Sequence, residues 1–242
     1  MFKFEADGYT PFIAGPVPAS AGSAHFDVAL APATTTQVTV LSPEGGPAAD
    51  VDVALVSSGA RIFLIPGGIS HQNMQSGGTL LATDDQGQFT FSSDPTVTKI
   101  VVASPQGYAE VTPAQLAANP VIQMMPWGHL EGTYLTNGEP AAGCTLSFGY
   151  GPEGSFNTIH CDSLSFRATT DSQGRFAFAQ VPPGNRQVIL IVPFSDNFGH
   201  NGWSELPLQP VSISAGETAT ITIDNTNQTF SDFFRSRMNA AK

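Results

Sequence analysis

Two four-residue segments bring carboxylates and glycines together at the same spacing. Asp84 is followed by Gly87, and Asp171 is followed by Gly174, with a glutamine directly before each glycine. A repeated acid could mark a calcium site, but calcium takes about six to eight oxygen ligands and each segment supplies too few. An Asp side chain can instead accept hydrogen bonds from backbone amides two residues on, and a Gly tolerates positive φ. We therefore predict that both segments are structural hairpin turns.

Histidine and cysteine provide no recognisable metal or nucleophilic site. The five histidines, which show no i,i+2 or i,i+4 pairing, are His25, His71, His129, His160 and His200. Only His160-Cys161-Asp162 forms a cluster, and no second ligand group lies at a spacing that zinc uses. A Gly-x-Ser-x-Gly elbow, a phosphate-binding loop and a dinucleotide fingerprint are also missing from the sequence. We predict no catalytic residue, no metal, no cofactor and no enzymatic activity.

The two cysteines, Cys144 and Cys161, could form a disulfide that closes a short loop. Such a bond would suit an oxidising compartment. Strand alternation argues against it, because Cys144 is in phase with Leu146 and Phe148, which we expect to point inward, whereas Cys161 is out of phase with the apolar residues that follow it. The sequence leaves this pairing open.

Aromatic residues in two segments form the main candidate ligand-binding surface. The candidates, from segments 149–163 and 194–203, are Tyr150, Phe156, His200, Asn201 and Trp203. An aromatic face flanked by hydrogen-bonding groups could stack on a sugar ring. The alternative is that Trp203 folds back over the end of its own domain as a packing residue.

The composition indicates a folded chain with an acidic surface. Of the 242 residues, 41% are apolar and 12% are charged, and the formal net charge is −11. The apolar share supports a core, while the negative charge disfavours nucleic acids and anionic membranes as partners. No apolar run approaches the roughly 20 residues that cross a bilayer, so we expect no membrane insertion. Because a strand-like segment follows Met1 without a leader, we expect a piece of a longer chain.

Alternating apolar residues and Gly- or Pro-rich turns predict many short β-strands. Phe89 and Phe91 share one face after the first turn, as Phe176 and Phe178 do after the second. The Gly-rich segment 65–78 is too long for a tight turn, so we expect it to be the functional loop of the first half. Segment 113–118 begins with proline and is compatible with one short helical turn.

The strand pattern repeats along the chain, which predicts an all-β fold of tandem Greek-key β-sandwiches, each with about seven strands. Gly8-Tyr9 and Gly107-Tyr108 occupy matching places, so the chain would begin with the rear part of a further copy. The predicted divisions are 1–33 for a strand pair from a partial repeat, 34–125 for the first sandwich, 126–229 for the second, and 230–242 for a tail or linker.

Three motifs of the second half carry a resemblance to a known family. They are Gly132-x5-Gly138-x-Pro140, Thr169-Thr-Asp-x-x-Gly174-x-Phe-x-Phe178 and Val181-Pro-Pro-Gly184. The chain resembles the carboxypeptidase regulatory-like family, whose β-sandwich is also called transthyretin-like or prealbumin-like. The first half keeps Thr83-Asp84-x-x-Gly87 and Gly107-Tyr108 but has no Pro-Pro-Gly. The resemblance covers roughly residues 34–225, and similar repeats occur in multi-module bacterial envelope proteins.

The resemblance implies an accessory module rather than an enzyme. We therefore expect a non-enzymatic structural or interaction module, a spacer or docking surface, in a larger extracellular, periplasmic or cell-surface protein. Its partners would be other modules of the same chain or another protein. One alternative is a carbohydrate-binding accessory module that uses the two aromatic segments. Another is a subunit that assembles into fibres or surface layers by adding edge strands.

Overall fold

The structure is a computed structural model with two compact units. It describes residues 2–16, 25–72, 78–150, 159–195 and 201–225. Unit 1 comprises Met1–Pro126 and unit 2 comprises Trp127–Lys242. Within the described part of the chain, no helix is long and apolar enough to span a membrane.

Unit 1 is built almost entirely from β-strands. Its elements are β1 (Phe2–Phe4), β2 (Phe12–Ala14), β3 (Thr35–Leu41), β4 (Asp52–Ser57), β5 (Ile62–Ile65), β6 (Gly68–Ile69), β7 (Gly78–Ala82), β8 (Gln88–Ser92), β9 (Val97–Ser104), β10 (Gly107–Val111), α1 (Pro113–Ala118) and β11 (Val121–Gln123). A four-stranded sheet has the order β10-β9-β4-β7, and a three-stranded sheet has the order β11-β3-β8. Strands β1 and β2 form a separate two-stranded ribbon.

The core of unit 1 lies between its two larger sheets. Alternate residues of each strand supply it, because successive side chains of a strand point to opposite faces. The core residues include Val38, Val40, Val53, Leu55, Phe89, Phe91, Ile100, Val102, Leu116 and Ile122. Leu116 comes from α1, which matches the helical turn predicted for 113–118. Thr112 caps that helix and exchanges hydrogen bonds with Gln115, which explains why so short a helix forms.

A second apolar layer covers the outer face of the four-stranded sheet in unit 1. Ala54 and Val56 point away from the core, yet both are fully buried. The β5–β6 hairpin supplies the cover, since the backbone N–H of Ile69 donates to Asp52 Oδ2 at 3.2 Å and the ring of His71 lies 2.9 Å from Asp52 Oδ1. The first part of the Gly-rich segment 65–78 is thus a structural layer. Residues 73–77 lie outside the described residues.

Unit 2 follows the same plan with longer strands. Its elements are β12 (Gly128–Thr136), β13 (Glu139–Pro140), β14 (Thr145–Tyr150), β15 (Ile159–Cys161), β16 (Arg167–Thr169), β17 (Arg175–Val181), β18 (Gly184–Ser195), β19 (Asn201–Ile213) and β20 (Thr218–Asp224). The four-stranded sheet has the order β16-β14-β18-β19. In the other sheet β12 pairs with β17, β20 and, at its end, the short β13.

The two units share one connectivity. In each, the first long strand lies between partner strands of its own sheet, and the last strand pairs with it in parallel: β3 with β11, and β12 with β20. The remaining neighbours in these sheets are antiparallel. The predicted all-β class of tandem sandwiches is therefore confirmed, while the exact division into four segments stays a prediction.

The N-terminal ribbon repeats one detail of unit 1. Tyr9 forms an isolated antiparallel bridge with Pro32 shortly before β3, just as Tyr108 bridges to Met125 shortly before β12. This matching bridge gives a structural reason for the two Gly-Tyr pairs. That residues 1–33 are the rear part of a further copy remains an interpretation.

A small polar cluster attaches the ribbon to the rest of unit 1. Lys3 Nζ lies 2.9 Å from Glu5 Oε2 and 3.5 Å from Asp94 Oδ2, and the hydroxyls of Thr10 and Ser93 are 3.0 Å apart. The Glu5 hydrogen bond, aided by Asp94, raises the pKa of Lys3. Burial raises the pKa of Asp94, but hydrogen bonds from Thr96 and the Lys3 charge outweigh it and lower that pKa overall. The Lys3–Asp94 ion pair therefore contributes stability between pH 3.8 and pH 10.5, the ordinary pKa values of the two groups. Its contribution is lost as the pH falls below the first value or rises above the second.

Candidate functional site

The repeated acids form turns with the same hydrogen bonds in both units. Asp84 Oδ1 accepts from the amides of Gln86 and Gln88 at 3.0 and 2.7 Å. Asp171 Oδ1 accepts from the corresponding amides of Gln173 and Arg175 at 2.8 and 2.9 Å. These backbone hydrogen bonds occupy the carboxylates, so the geometry is that of a turn rather than of a cation cage.

Arg175 adds a second contact in unit 2. Its Nε donates to Asp171 Oδ2 at 2.8 Å, four residues away. The backbone amide and then the side chain of Arg175 lower the pKa of Asp171. The carboxylate is solvent-exposed, so this pairing orders the turn locally rather than marking an acid–base residue.

The glycines of these turns are required by space as well as by conformation. Gly87 and Gly174 have φ values of 71° and 72°. A Cβ on Gly87 would lie 2.7 Å from Ala48 N and 2.8 Å from Val40 O, and one on Gly174 would overlap the carbonyl oxygen of Tyr134. Each turn is thus packed directly against the backbone of the first long strand of its unit.

The threonine before each acid is a structural residue that the sequence analysis did not single out. Thr83 and Thr170 are only 3% and 4% exposed. Thr83 Oγ1 donates to Ala48 O at 2.7 Å and accepts from Val51 N at 2.9 Å. Thr170 Oγ1 donates to Ala141 O at 2.6 Å and accepts from Cys144 N at 2.9 Å. The signal was present in the repeated Thr-Asp pair, but strand alternation alone does not show that the hydroxyl bridges two segments.

A shallow groove lies beside the turn in each unit, with a volume of about 460 Å³ in unit 2 and about 360 Å³ in unit 1. Matching positions line the two grooves, including Asp84 and Phe89 in one and Asp171 and Phe176 in the other. The Asp171 carboxylate is already engaged by Arg175. The grooves therefore belong to the turn architecture.

The cysteines and histidines form no metal or redox centre among the described residues. Cys144 and Cys161 are both present as thiols, so the considered disulfide is not formed. Their burial is the reverse of the prediction: Cys161 is buried, whereas Cys144 lies just before β14 and is only half-buried. Strand alternation starts at Thr145, so it does not govern Cys144. Across the described ranges, no group of three or more His, Cys, Asp or Glu residues could hold a metal.

Three of the five candidate ligand-binding residues lie among the described residues. Phe156 and His200 lie outside the described residues, and Tyr150 and Asn201 are strand ends in β14 and β19. Trp203 was predicted in a loop, but it lies in β19 opposite Pro193 of β18. The hairpin formed by β18 and β19 simply continues further than the sequence suggested. Trp203 is 46% exposed, so it does not fold back as a buried cover.

Trp203 instead meets an arginine from another strand. The guanidinium carbon of Arg167 lies over the indole, 5.8 Å from the ring centroid, which is a cation–π distance. Arg167 Nε also donates to the carbonyl oxygen of Ser163 at 3.1 Å. Ser163 lies in a turn whose hydrogen bonds to Asp162 fix its shape. Arg167 was missed because β16 and β19 are opposite edges of a sheet, and local spacing does not show that they meet.

Comparisons with known proteins do not assign the chain to a family. No protein-family model matches the chain, and no curated protein does. Among solved structures, the minor pilin GBS52 of Streptococcus agalactiae has 17% identity, covers 79% of this chain and 95% of its own, and gives a TM-score of 0.40. A streptococcal ancillary pilin has 13% identity, covers 91% and 72%, and gives 0.35. At such TM-scores these similarities do not decide fold or function.

Proposed function

We propose that the chain is a pair of non-enzymatic spacer modules in a larger extracellular or envelope protein. Its partners are then neighbouring modules of the same chain or another protein. The carboxypeptidase regulatory-like resemblance supports this proposal, as does the use of the repeated polar motif as turn chemistry. The observation that carries it is the parallel pairing of the first long strand with the last strand in each unit.

These strands run parallel and side by side. In unit 2, seven residue pairs join β12 and β20, from His129 opposite Thr218 to Leu135 opposite Asp224. Tension applied to the two ends of the unit pulls parallel neighbours past each other. All the hydrogen bonds between them are then loaded together, rather than one at a time as in an opening hairpin. Such an arrangement resists extension, which is what a spacer under load requires.

Single-molecule force spectroscopy tests this proposal. Stretching the chain should give one unfolding event per unit. Each should release about 30 nm at ~3.6 Å per residue, the length of chain held between Thr35 and Gln123 in unit 1 or between Gly128 and Asp224 in unit 2, less its folded length. Unit 1 should yield at the lower force, because only three residue pairs join β3 and β11. Units that extend without a resolved force peak would contradict a load-bearing role, and so would a reproducible enzymatic turnover that one polar substitution abolishes.

Strand β20 offers a matched pair of variants. Asn225 N donates to Leu135 O, and His129 N donates to Glu217 O, so the odd-numbered residues of β20 direct their backbone groups toward β12. Ala219→Pro removes an N–H of this set, whereas Thr220→Pro removes one that points away from β12. We expect Ala219→Pro to lower the unfolding force of unit 2 clearly and Thr220→Pro to lower it little. Equal forces for the two variants would contradict the shear geometry.

Self-association through the N-terminal ribbon is a second candidate, favoured by an exposed aromatic cluster. The ring centroid of Phe26 lies 5.7 Å from those of Phe2 and Phe4, and the ring centroids of Phe4 and Phe12 are 6.5 Å apart. Phe2, Phe12 and Phe26 are nevertheless 51%, 46% and 37% exposed. A two-stranded ribbon cannot bury such a cluster alone, and an exposed apolar patch is a common contact surface.

Sedimentation velocity decides this candidate. Over a concentration range of about two orders of magnitude, we expect reversible dimerisation that is lost when Phe2→Ser and Phe12→Ser are combined. Leu164→Ser is the matched control, because Leu164 is an equally exposed apolar residue, at 49%, in unit 2. A monomer at every concentration, or equal loss in the control, would rule out the ribbon as the contact.

A further inference from the structure

Trp203 is an exposed tryptophan held in a fixed setting. The other tryptophan, Trp127, is 4% exposed, whereas Trp203 is 46% exposed in a part of β19 whose pairing with β18 is unbroken from Asn201 to Pro207. Tryptophan combines a large apolar face with one N–H donor and is enriched at contact surfaces. A strand also fixes the backbone beneath the ring, so the indole is presented on a rigid base.

Trp203 and Arg167 share the outer face of the four-stranded sheet. Arg167 pairs with Ser147, which pairs with Ile189. Trp203 pairs with Pro193, four positions beyond Ile189 on the same strand, so both side chains point to the same face. Four strands spaced about 4.8 Å apart separate the edges of a sheet by ~14 Å. The Arg167–Trp203 contact therefore joins the two edge strands of the sheet across this face.

The polar groups beside the ring are complementary to hydroxyl groups. Arg167 uses Nε on Ser163, and its guanidinium has further N–H donors. Glu205, two residues after Trp203, lies on the same side of β19, is exposed and supplies acceptor oxygens. An apolar ring face, fixed donors and an acceptor together match a pyranose, which has an apolar C–H face and a rim of hydroxyls that both donate and accept.

We propose that this surface, formed by Trp203, Arg167 and Glu205, binds a neutral pyranose oligosaccharide. The sugar stacks on the exposed part of the indole and hydrogen-bonds to the guanidinium and the carboxylate. The net charge of −11 selects a neutral rather than an acidic glycan, because the chain repels polyanions. This inference goes beyond the spacer proposal, and its failure would leave the force measurements unchanged.

Fluorescence titration tests the proposal directly. In a Trp127→Phe background, Trp203 is the sole indole, since the sequence has two tryptophans. We expect a saturable change in its emission with at least one of cellohexaose, mannohexaose and xylohexaose at up to millimolar concentration, little affected by salt. Arg167→Ala and Glu205→Ala should each weaken that binding several-fold. No saturable change with any of the three oligosaccharides would overturn the proposal.

Calorimetry on the chain that keeps Trp127 separates binding at Trp203 from binding at any exposed aromatic side chain. Trp203→Ala should weaken binding about tenfold or more, while Trp203→Phe should retain part of it. Tyr9→Ala is the control, because Tyr9 is an aromatic of the same exposure, 46%, in unit 1. Binding that survives Trp203→Ala, or that Tyr9→Ala weakens equally, would overturn the site. Tighter binding of polygalacturonate than of all three neutral probes would overturn the ligand class.

Discussion

Replacing Gly174 with alanine should destabilise unit 2 by about 3 kcal/mol or more, one of the largest effects of any single substitution in the chain. The added Cβ would overlap the carbonyl oxygen of Tyr134, which accepts a hydrogen bond from Ala141. A backbone atom cannot move aside as a side chain does, so the turn must leave β12. Strand β17, which starts at Arg175, would lose its register with it.

The measurement is a denaturant titration followed by tryptophan fluorescence, which reports on unit 2 alone because Trp127 and Trp203 both belong to it. Gly138→Ala is the matched control. Gly138 also has positive φ, at 80°, but nothing lies within 4 Å of its would-be Cβ. Gly138→Ala should lower the stability of unit 2 by only about 1 kcal/mol, because it strains the backbone conformation without creating an overlap. Equal losses for the two variants would show that close packing of the turn is unimportant.

Replacing Phe148 with alanine should cost unit 2 about 3–5 kcal/mol. The side chain is fully buried, its ring centroid lies 4.2 Å from that of Phe178, and Phe166 meets it edge-on at 6.5 Å. These contacts join β14 of one sheet to β17 of the other. Alanine would thus leave a cavity between the two sheets and remove the aromatic contacts that join them.

The same fluorescence titration measures this loss. Leu164→Ala is the control, since Leu164 is 49% exposed and its truncation should change stability by no more than about 0.5 kcal/mol. A loss below about 1 kcal/mol for Phe148→Ala would mean that the neighbouring rings close the cavity. Unit 2 would then have a more adaptable core than its aromatic contacts suggest.

The local features of the fold could be predicted because short-range chemistry decides them. The spacing of Phe176 and Phe178 shows which face of β17 is buried, and the Asp-x-x-Gly pattern identifies the turn before it. The helix at Pro113–Ala118 was predicted as one helical turn, and the Thr112 cap that the structure adds is its neighbour in the sequence. In each case the deciding interaction joins residues no more than a few positions apart.

The features that the sequence did not reveal depend on contacts between residues far apart in the chain. The hydroxyl of Thr170 bridges Ala141 and Cys144, and Arg167 meets Trp203 from the opposite edge of a sheet. Neither contact leaves a periodic trace in the sequence. Cys144 was assigned the wrong burial because alternation was extended one residue beyond the start of its strand. The candidate ligand surface therefore keeps Trp203 from the prediction and adds Arg167, which only the structure places at its ring.

The parallel pairing of the first and last strands has a consequence for how such chains grow. Since β12 and β20 run in the same direction, the polypeptide enters unit 2 at one pole of the sandwich and leaves it at the other. In unit 1, β3 and β11 also run in the same direction, so the chain enters the sandwich that they bound at one pole and leaves it at the other. A duplicated copy can then be joined at either pole without a segment that returns across the sandwich. Gene duplication can thus lengthen the chain one module at a time while each copy keeps its own hydrogen-bonded frame.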